Sequence, residues 1–371
     1  MKKRVSSFFN NQLDYILVIT ILLLFAIGLV MILSASSPTA LAENGNSYTY
    51  FTKQAILGAI GIAMMFFLSK VDYRIYQKFY KIAYILSIGV LILVLLVGRS
   101  MNGAKRWIYI TETFSFQPSE IVKICMIIFY AGFLVKNKKN IDKFGKGTLL
   151  NLALLLPILG LLYLQPHYSS LAVIGMVSII IMLVAGIKLK HMAGISLIGI
   201  PVAIGLMLSD KYRVTRVTTF LDPWKDITGD GWQIIQSLYA IGSGGIFGVG
   251  LGGSKQKYSY IPEAHNDFIF SIIGEELGFI GCTIILILFG ILIWRGILIA
   301  MKAPDTFGSL VAIGLTSLIA VQVIINIAVV TSSMPVTGMP LPFFSYGGTA
   351  LTILLASMGI LLNISRAGNK T

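Results

Sequence analysis

The chain has 371 residues, of which 56% are hydrophobic and only 12% charged, and its mean hydropathy is +0.85. A water-soluble domain carries roughly 25% charged residues, so this composition excludes a globular protein with a water-facing surface and requires lipid as the solvent. The formal net charge of +14 does not indicate nucleic-acid binding, because the basic residues sit in short loops between apolar runs, where they act as topology signals.

Met1-Lys2-Lys3-Arg4 and the apolar run behind them have the outline of a signal peptide, but the run from Tyr15 to Leu33 is too long for one and is followed by no small-residue cleavage site. It is taken as the first span. With about 20 apolar residues needed per crossing, spans are expected near 15–35, 54–69, 79–97, 118–135, 148–164, 168–186, 190–208, 268–298, 308–330 and 346–364. The expected fold is an all-α membrane protein of about ten transmembrane helices, a single polytopic domain over residues 1–371. Lys70, Arg74, Lys78, Lys81, Lys136, Lys138, Lys139, Lys143, Lys146, Lys188, Lys190, Arg295 and Lys302 fall on the side of Lys2, Lys3 and Arg4. That side is expected to be the cytoplasm, with Arg366 and Lys370 placing the C-terminus there too. Most carboxylates between Asp210 and Glu276 then lie outside.

Segment 209–267 is the longest stretch between spans and is rich in Trp, Tyr and Gly. Residues 231–241 have the pattern of an amphipathic helix lying on the outer leaflet. Gly248-Val249-Gly250-Leu251-Gly252-Gly253 fits G-x-G-x-x-G but has no strand–helix–strand context for a dinucleotide. It is expected to be a flexible or tightly turning loop, with a phosphate-binding nest as the other possibility. Cys125 and Cys282 lie inside apolar runs and are expected to be free thiols. The sequence offers no clear metal cage, and the use of a divalent cation is left open.

Four places carry candidate chemistry. Glu120 and Lys123 share one helix face after Gln117-Pro118-Ser119, which suits an interfacial ion pair or a substrate-facing site. His265-Asn266-Asp267 stands where the outer segment meets span eight; Asp267 fits an N-cap or a general base that the helix end makes weak and burial beside a lipid phosphate would strengthen. Glu275 and Glu276 fit hydrogen-bonded structural carboxylates, since lipid-facing ones are costly. Pro335, Gly338, Pro340, Pro342, Gly347 and Gly348 make 335–348 non-helical. Such backbone persists at membrane depth only where it is packed in protein or lines a cavity, so this segment is expected to close one wall of an outer cavity, with Ser345 and Tyr346 satisfying its backbone or, as the alternative, binding substrate.

In order along the chain, Asn102-Gly103-Ala104-Lys105-Arg106-Trp107, Gln117-Pro118-Ser119-Glu120, Leu221-Asp222-Pro223-Trp224, Gly231-Trp232-Gln233, Ile261-Pro262-Glu263-Ala264-His265-Asn266-Asp267, Gly274-Glu275-Glu276-Leu277-Gly278, Pro335-Val336-Thr337-Gly338 and Ser345-Tyr346-Gly347-Gly348 resemble the motifs of the SEDS family. Lys255-Gln256-Lys257 leans to its FtsW and SpoVE branches rather than RodA. The resemblance implies ten spans, polymerisation of lipid II into peptidoglycan glycan strands at the outer face of the bacterial membrane, and a class B penicillin-binding protein as transpeptidase partner. It implies Asp267 as the catalytic residue and Lys105, Arg106, Glu120, Lys123 and His265 as substrate-binding residues. A lipid II flippase and a scaffold for the transpeptidase are the rival functions. One departure stands out: where the family often carries Gln-Pro-Asp after the fifth span, this chain has Gln165-Pro166-His167, so no acidic role carries over.

Overall fold

The computed structural model describes residues 13–101, 104–109, 115–208, 211–229 and 231–368. Lys2, Lys3, Arg4, Asn102, Gly103, Asp210 and Lys370 lie outside the described residues. The helices are α1 (Tyr15–Asn44), α2 (Thr49–Leu68), α3 (Arg74–Lys78), α4 (Tyr80–Val97), α5 (Pro118–Lys136), α6 (Leu150–Leu164), α7 (Tyr168–Val184), α8 (Leu189–Leu208), α9 (Lys211–Leu221), α10 (Trp232–Gly244), α11 (Ile269–Lys302), α12 (Thr306–Val330) and α13 (Thr349–Gly368). An α-helix stands at each predicted span. Eight of them are long and apolar enough to cross a bilayer, and α7 is a shorter apolar helix beside them. The protein is a multi-pass membrane protein.

Local chemistry starts and stops these helices. Asp14 caps α1 by accepting from the Leu17 amide at 3.1 Å, and Gly45 ends it in a left-handed conformation at φ 67°. Asp305 caps α12 through the Gly308 amide at 2.8 Å. Pro118 occupies the first turn of α5, where its missing N–H leaves no acceptor unpaired. α2 packs on α13, α4 on α5, and α11 on both α1 and α12. Leu96, Ile85, Leu156 and Phe67 remain exposed on the perimeter, an outward apolar face that suits lipid. Arg295 on α11 pairs with Asp14 before α1 at 2.6 Å, so the two long helices are tied at one end.

Three features differ from expectation. Residues 99–116 contain a small antiparallel sheet, β1 (Arg99–Met101), β2 (Ala104–Tyr109) and β3 (Ser115–Phe116), in the order β1-β2-β3; short strands with interrupted alternation leave little periodic signal. The helix expected on the leaflet surface forms as α10, but it buries Ile234, Ile235 and Ala240 against α11, so its apolar face is covered by protein. Finally, α11 is broken at Gly278, whose φ of 64° and ψ of −165° are non-helical.

The break at Gly278 explains the glycine-rich loop. It strands the carbonyls of Glu275 and Glu276, which accept from the amides of Val249 at 2.9 Å and Gly250 at 3.1 Å. Beyond the break, Phe279 and Ile280 donate to the carbonyls of Gly245 and Ile246. A Cβ on Gly278 would stand 2.3 Å from the Gly248 nitrogen. The loop is thus tightly turned and bonded to a helix rather than arranged around a phosphate. The Glu275 and Glu276 side chains hold its far end. Glu275 accepts from Ser254 Oγ at 2.5 Å and the Lys255 amide at 2.9 Å. Glu276 accepts from Ser34 Oγ at 2.7 Å and pairs with Lys257 at 3.0 Å. The structural role expected for both carboxylates is observed.

Candidate active site

The site is built around segment 335–348. Its irregular backbone needs hydrogen-bond partners, and four side chains from distant parts of the chain and one backbone carbonyl supply them. Arg216 donates to the Val336 carbonyl at 2.6 Å. Ser169 donates to Thr337 at 2.5 Å, and Asn326 donates to Met339 at 2.7 Å. Gln54 donates to the Ser345 carbonyl at 3.2 Å, and the Tyr346 amide donates to the His265 carbonyl at 2.9 Å. Ser345 Oγ accepts from the Leu341 amide at 2.7 Å, the backbone role expected of it. The Tyr346 ring instead packs near His265. The 340–347 part of this segment forms one wall of a cavity of about 40 Å³, whose other walls include Glu120, Lys123, Gln322 and Leu354.

Glu120 and Lys123 form the expected ion pair at 2.8 Å, with Lys123 only 4% exposed. They also line the cavity, so the ion pair that ties this face of α5 together stands on the cavity wall. Two charges at that depth are tolerable because each supplies the other's counter-charge.

Asp267 sits in the turn before α11. The cap position itself is Phe268, which makes no side-chain capping bond, so the N-cap role considered for Asp267 is not observed. Its main chain is anchored instead: the Asp267 carbonyl accepts from Asn326 Nδ2 at 2.7 Å, and the same nitrogen holds Met339. The carboxylate faces the wall segment, since a Cβ placed on Gly338 would lie 3.5 Å from Asp267 Oδ2. Burial pushes the Asp267 carboxyl up to about 6; a backbone hydrogen bond opposes this, the Glu263 carboxylate adds to it and the Arg216 guanidinium counters it. Of the two influences expected on Asp267, a helix end that favours the ionised form and burial that raises the basicity, burial dominates.

His265 is buried, with its ring centroid 4.6 Å from that of Tyr50 and 5.8 Å from that of Tyr346. Burial lowers its pKa against the raising influence of Glu263 and Glu43. The ring supports the Asp267 turn and is absent from the cavity wall. Arg106, carried on β2, donates to the Pro166 carbonyl. That contact joins the sheet to the turn before α7. Lys105 is exposed, with Nζ 3.3 Å from the Leu95 carbonyl, and the structure does not bring it to the cavity. Among the described residues no three His, Cys, Asp or Glu side chains are grouped as a metal site. Cys125 and Cys282 are free thiols.

Sequence inspection missed Asn326, Gln54, Arg216 and Ser169. Each is a polar residue in or beside an apolar run, and nothing in its neighbours' spacing announces a distant carbonyl as its partner.

Comparison with known proteins places this arrangement. A family model described as "Cell cycle protein", covering FtsW, RodA and SpoVE, matches residues 14–370. Stage V sporulation protein E of Bacillus subtilis (strain 168) is 46% identical over 355 residues, covering 95% of this chain and 97% of that protein. A probable peptidoglycan glycosyltransferase FtsW of Trichlorobacter lovleyi is 42% identical over 357 residues, covering 95% of this chain and 93% of that protein. Among solved structures, a chain of a peptidoglycan synthase complex, described for its structural coordination of polymerization and crosslinking, superposes with a TM-score of 0.81 at 29% identity, covering 97% of this chain and 99% of that one. The rod shape determining protein RodA of Thermus thermophilus superposes with a TM-score of 0.71 at 27% identity, covering 96% of this chain and 97% of that one. The chain therefore belongs to the SEDS family of FtsW, RodA and SpoVE proteins, and within it to the FtsW and SpoVE type.

Proposed function

We propose that this protein is a peptidoglycan glycosyltransferase that polymerises lipid II into glycan strands, with Asp267 as general base. The observation that carries the proposal is the environment of Asp267: a carboxyl with a pKa raised to about 6, held by its own backbone beside the wall of a cavity that also contains a buried ion pair. A base poised near the working pH is the most effective proton acceptor. The relatives named as glycosyltransferases support the assignment.

In this mechanism the 4-hydroxyl of an acceptor N-acetylglucosamine attacks C1 of a lipid-linked N-acetylmuramic acid. The new C1–O bond forms as the bond to undecaprenyl pyrophosphate breaks, with inversion. Asp267 takes the hydroxyl proton. Arg106 and Lys123 stabilise charge growing on the leaving pyrophosphate, as preorganised cations do in other active sites. Glu120 holds Lys123 in place, and His265 fixes the turn that carries Asp267. The basic loops support an active face on the outer side of the bacterial cytoplasmic membrane, where a class B penicillin-binding protein would cross-link the product.

The test is lipid II polymerisation by purified protein with its transpeptidase partner. Asp267→Ala and Asp267→Asn are expected to lower the rate by at least about 10²-fold. A wild-type rate in Asp267→Asn removes the base assignment.

A further inference from the structure

The turn before α7 holds a histidine that the mechanism above does not use. His167 is 6% exposed and occupies the N-cap position of α7 without a side-chain capping bond. Its Nε2 lies 3.1 Å from Gln117 Nε2 and 3.1 Å from Ser170 Oγ. An amide nitrogen only donates, so Nε2 of His167 is the acceptor and the proton of the neutral ring is on Nδ1. Burial, with the Arg106 and Lys123 charges adding to it, lowers the His167 pKa to about 3, so the ring stays neutral at any working pH. That leaves Nδ1–H as a buried donor, and it has no partner.

It is one of several. Ser119 Oγ, on a residue 2% exposed, and Thr337 Oγ1 are also buried without partners. The contacts place them together. Gln117, which holds His167, is the N-cap of α5, and Ser119 lies one helical turn before Lys123 on the same face of that helix. Ser169, two residues after His167, holds Thr337, and Thr337 precedes the Gly338 that adjoins the Asp267 carboxylate. The Gln117–His167 contact therefore joins the N-termini of α5 and α7, and the Ser169–Thr337 bond joins α7 to the segment that adjoins Asp267. Buried polar atoms are nearly always satisfied, and donors at paired helix N-termini match an oxyanion. Glu120 already takes part of the Lys123 charge, so the neutral donors carry the recognition.

We infer that His167 Nδ1–H and Ser119 Oγ, with Lys123, form an oxyanion subsite for a phosphate group of the lipid-linked sugar diphosphate. The inference rests on the proposed glycosyltransferase function. A phospholipid headgroup would offer the same oxyanion, so the test must separate the two.

Full-length protein in nanodiscs would be titrated with undecaprenyl pyrophosphate, against a parallel titration with phosphatidylglycerol. The shapes of two amides discriminate between roles. In His167→Asn the side-chain amide reaches the Nδ1 position and keeps the donor but loses Gln117 and Ser170. In His167→Gln it reaches the Nε2 position, keeps those contacts and loses the donor. A hydrogen bond to a charged group predicts that His167→Gln binds undecaprenyl pyrophosphate roughly tenfold or more weakly, while His167→Asn stays within about threefold of wild type. Ser119→Ala should weaken binding in the same direction as His167→Gln. A purely structural histidine gives the opposite ranking, and that ranking, or equal binding by both variants, overturns the inference. Competition by phosphatidylglycerol as effective as the pyrophosphate itself also overturns it, by assigning the site to bulk lipid. Lipid II polymerisation by the wild-type protein, measured alongside, reports on the catalytic proposal separately.

Discussion

Asn326 on α12 donates one amide nitrogen to the carbonyl of Asp267 at 2.7 Å and, through the same nitrogen, to that of Met339 at 2.7 Å. One side chain thereby sets the position of the proposed base relative to the cavity wall. Removing it leaves two buried carbonyls without a partner, at about 1–3 kcal/mol. Asn326→Ala is expected to lower kcat for lipid II polymerisation by tenfold or more with a smaller change in KM. An equal loss in kcat and an equal rise in KM would show that Asn326 serves binding rather than alignment.

The raised pKa of Asp267 fixes two pH dependences of opposite benefit. Activity needs the ionised carboxylate, so kcat/KM should rise with pH through about 6 and then level. Stability runs the other way. The folded state binds this proton more tightly than the unfolded state does, so the favourable contribution of the protonated group is complete below the unfolded carboxyl range and is lost as pH rises through about 6. Asp267→Asn keeps the neutral form at every pH. It should be inactive yet melt higher than wild type at pH 8, with the difference vanishing near pH 4. A thermal melt of both proteins at the two pH values measures this.

The Lys257–Glu276 pair, 3.0 Å apart and buried, holds the loop after α10 to the first half of α11. Breaking a buried pair from one side costs about 3–5 kcal/mol. Lys257→Met should therefore lower the midpoint of thermal unfolding markedly, whereas the double replacement Lys257→Met with Glu276→Gln should recover much of that loss. A double variant no more stable than the single one would mean that Ser34 and the Ser254 amide, which also bond Glu276, dominate the interaction.

Gly278 combines a left-handed backbone with a neighbour 2.3 Å from where a Cβ would sit. The neighbour is backbone and cannot move aside alone. Gly278→Ala is expected to destabilise by more than the roughly 1–3 kcal/mol of the backbone conformation alone and to increase proteolysis of 245–257. Gly290→Ala on the same helix, where a Cβ meets nothing within 4 Å, serves as the control and should be neutral or slightly stabilising.

The helices at all ten predicted positions were legible in the chain because a bilayer imposes its length on every crossing and lipid admits few charges. The Glu120–Lys123 pair was legible because helical spacing alone puts residues three apart on one face. Asp267 was visible only as a carboxylate at a helix start, where the helix end argues for a weak base and burial for a stronger one; burial prevails, and it comes from packing against segments far away in sequence. The pattern of 231–241 correctly indicated an amphipathic helix, yet its apolar face met α11 rather than lipid, since amphipathicity does not say what covers it.

What the sequence by itself determined about this protein is its solvent, its helical spans and the family whose motifs it carries, all consequences of local composition and spacing. What only the tertiary structure decided is which polar groups meet: Asn326 with Asp267, Arg216 and Ser169 with the wall segment, His167 with Gln117. Those contacts join residues tens to hundreds of positions apart, and in a chain where most side chains are apolar and interchangeable, only the packed arrangement determines which few polar atoms face one another and which are left for a substrate.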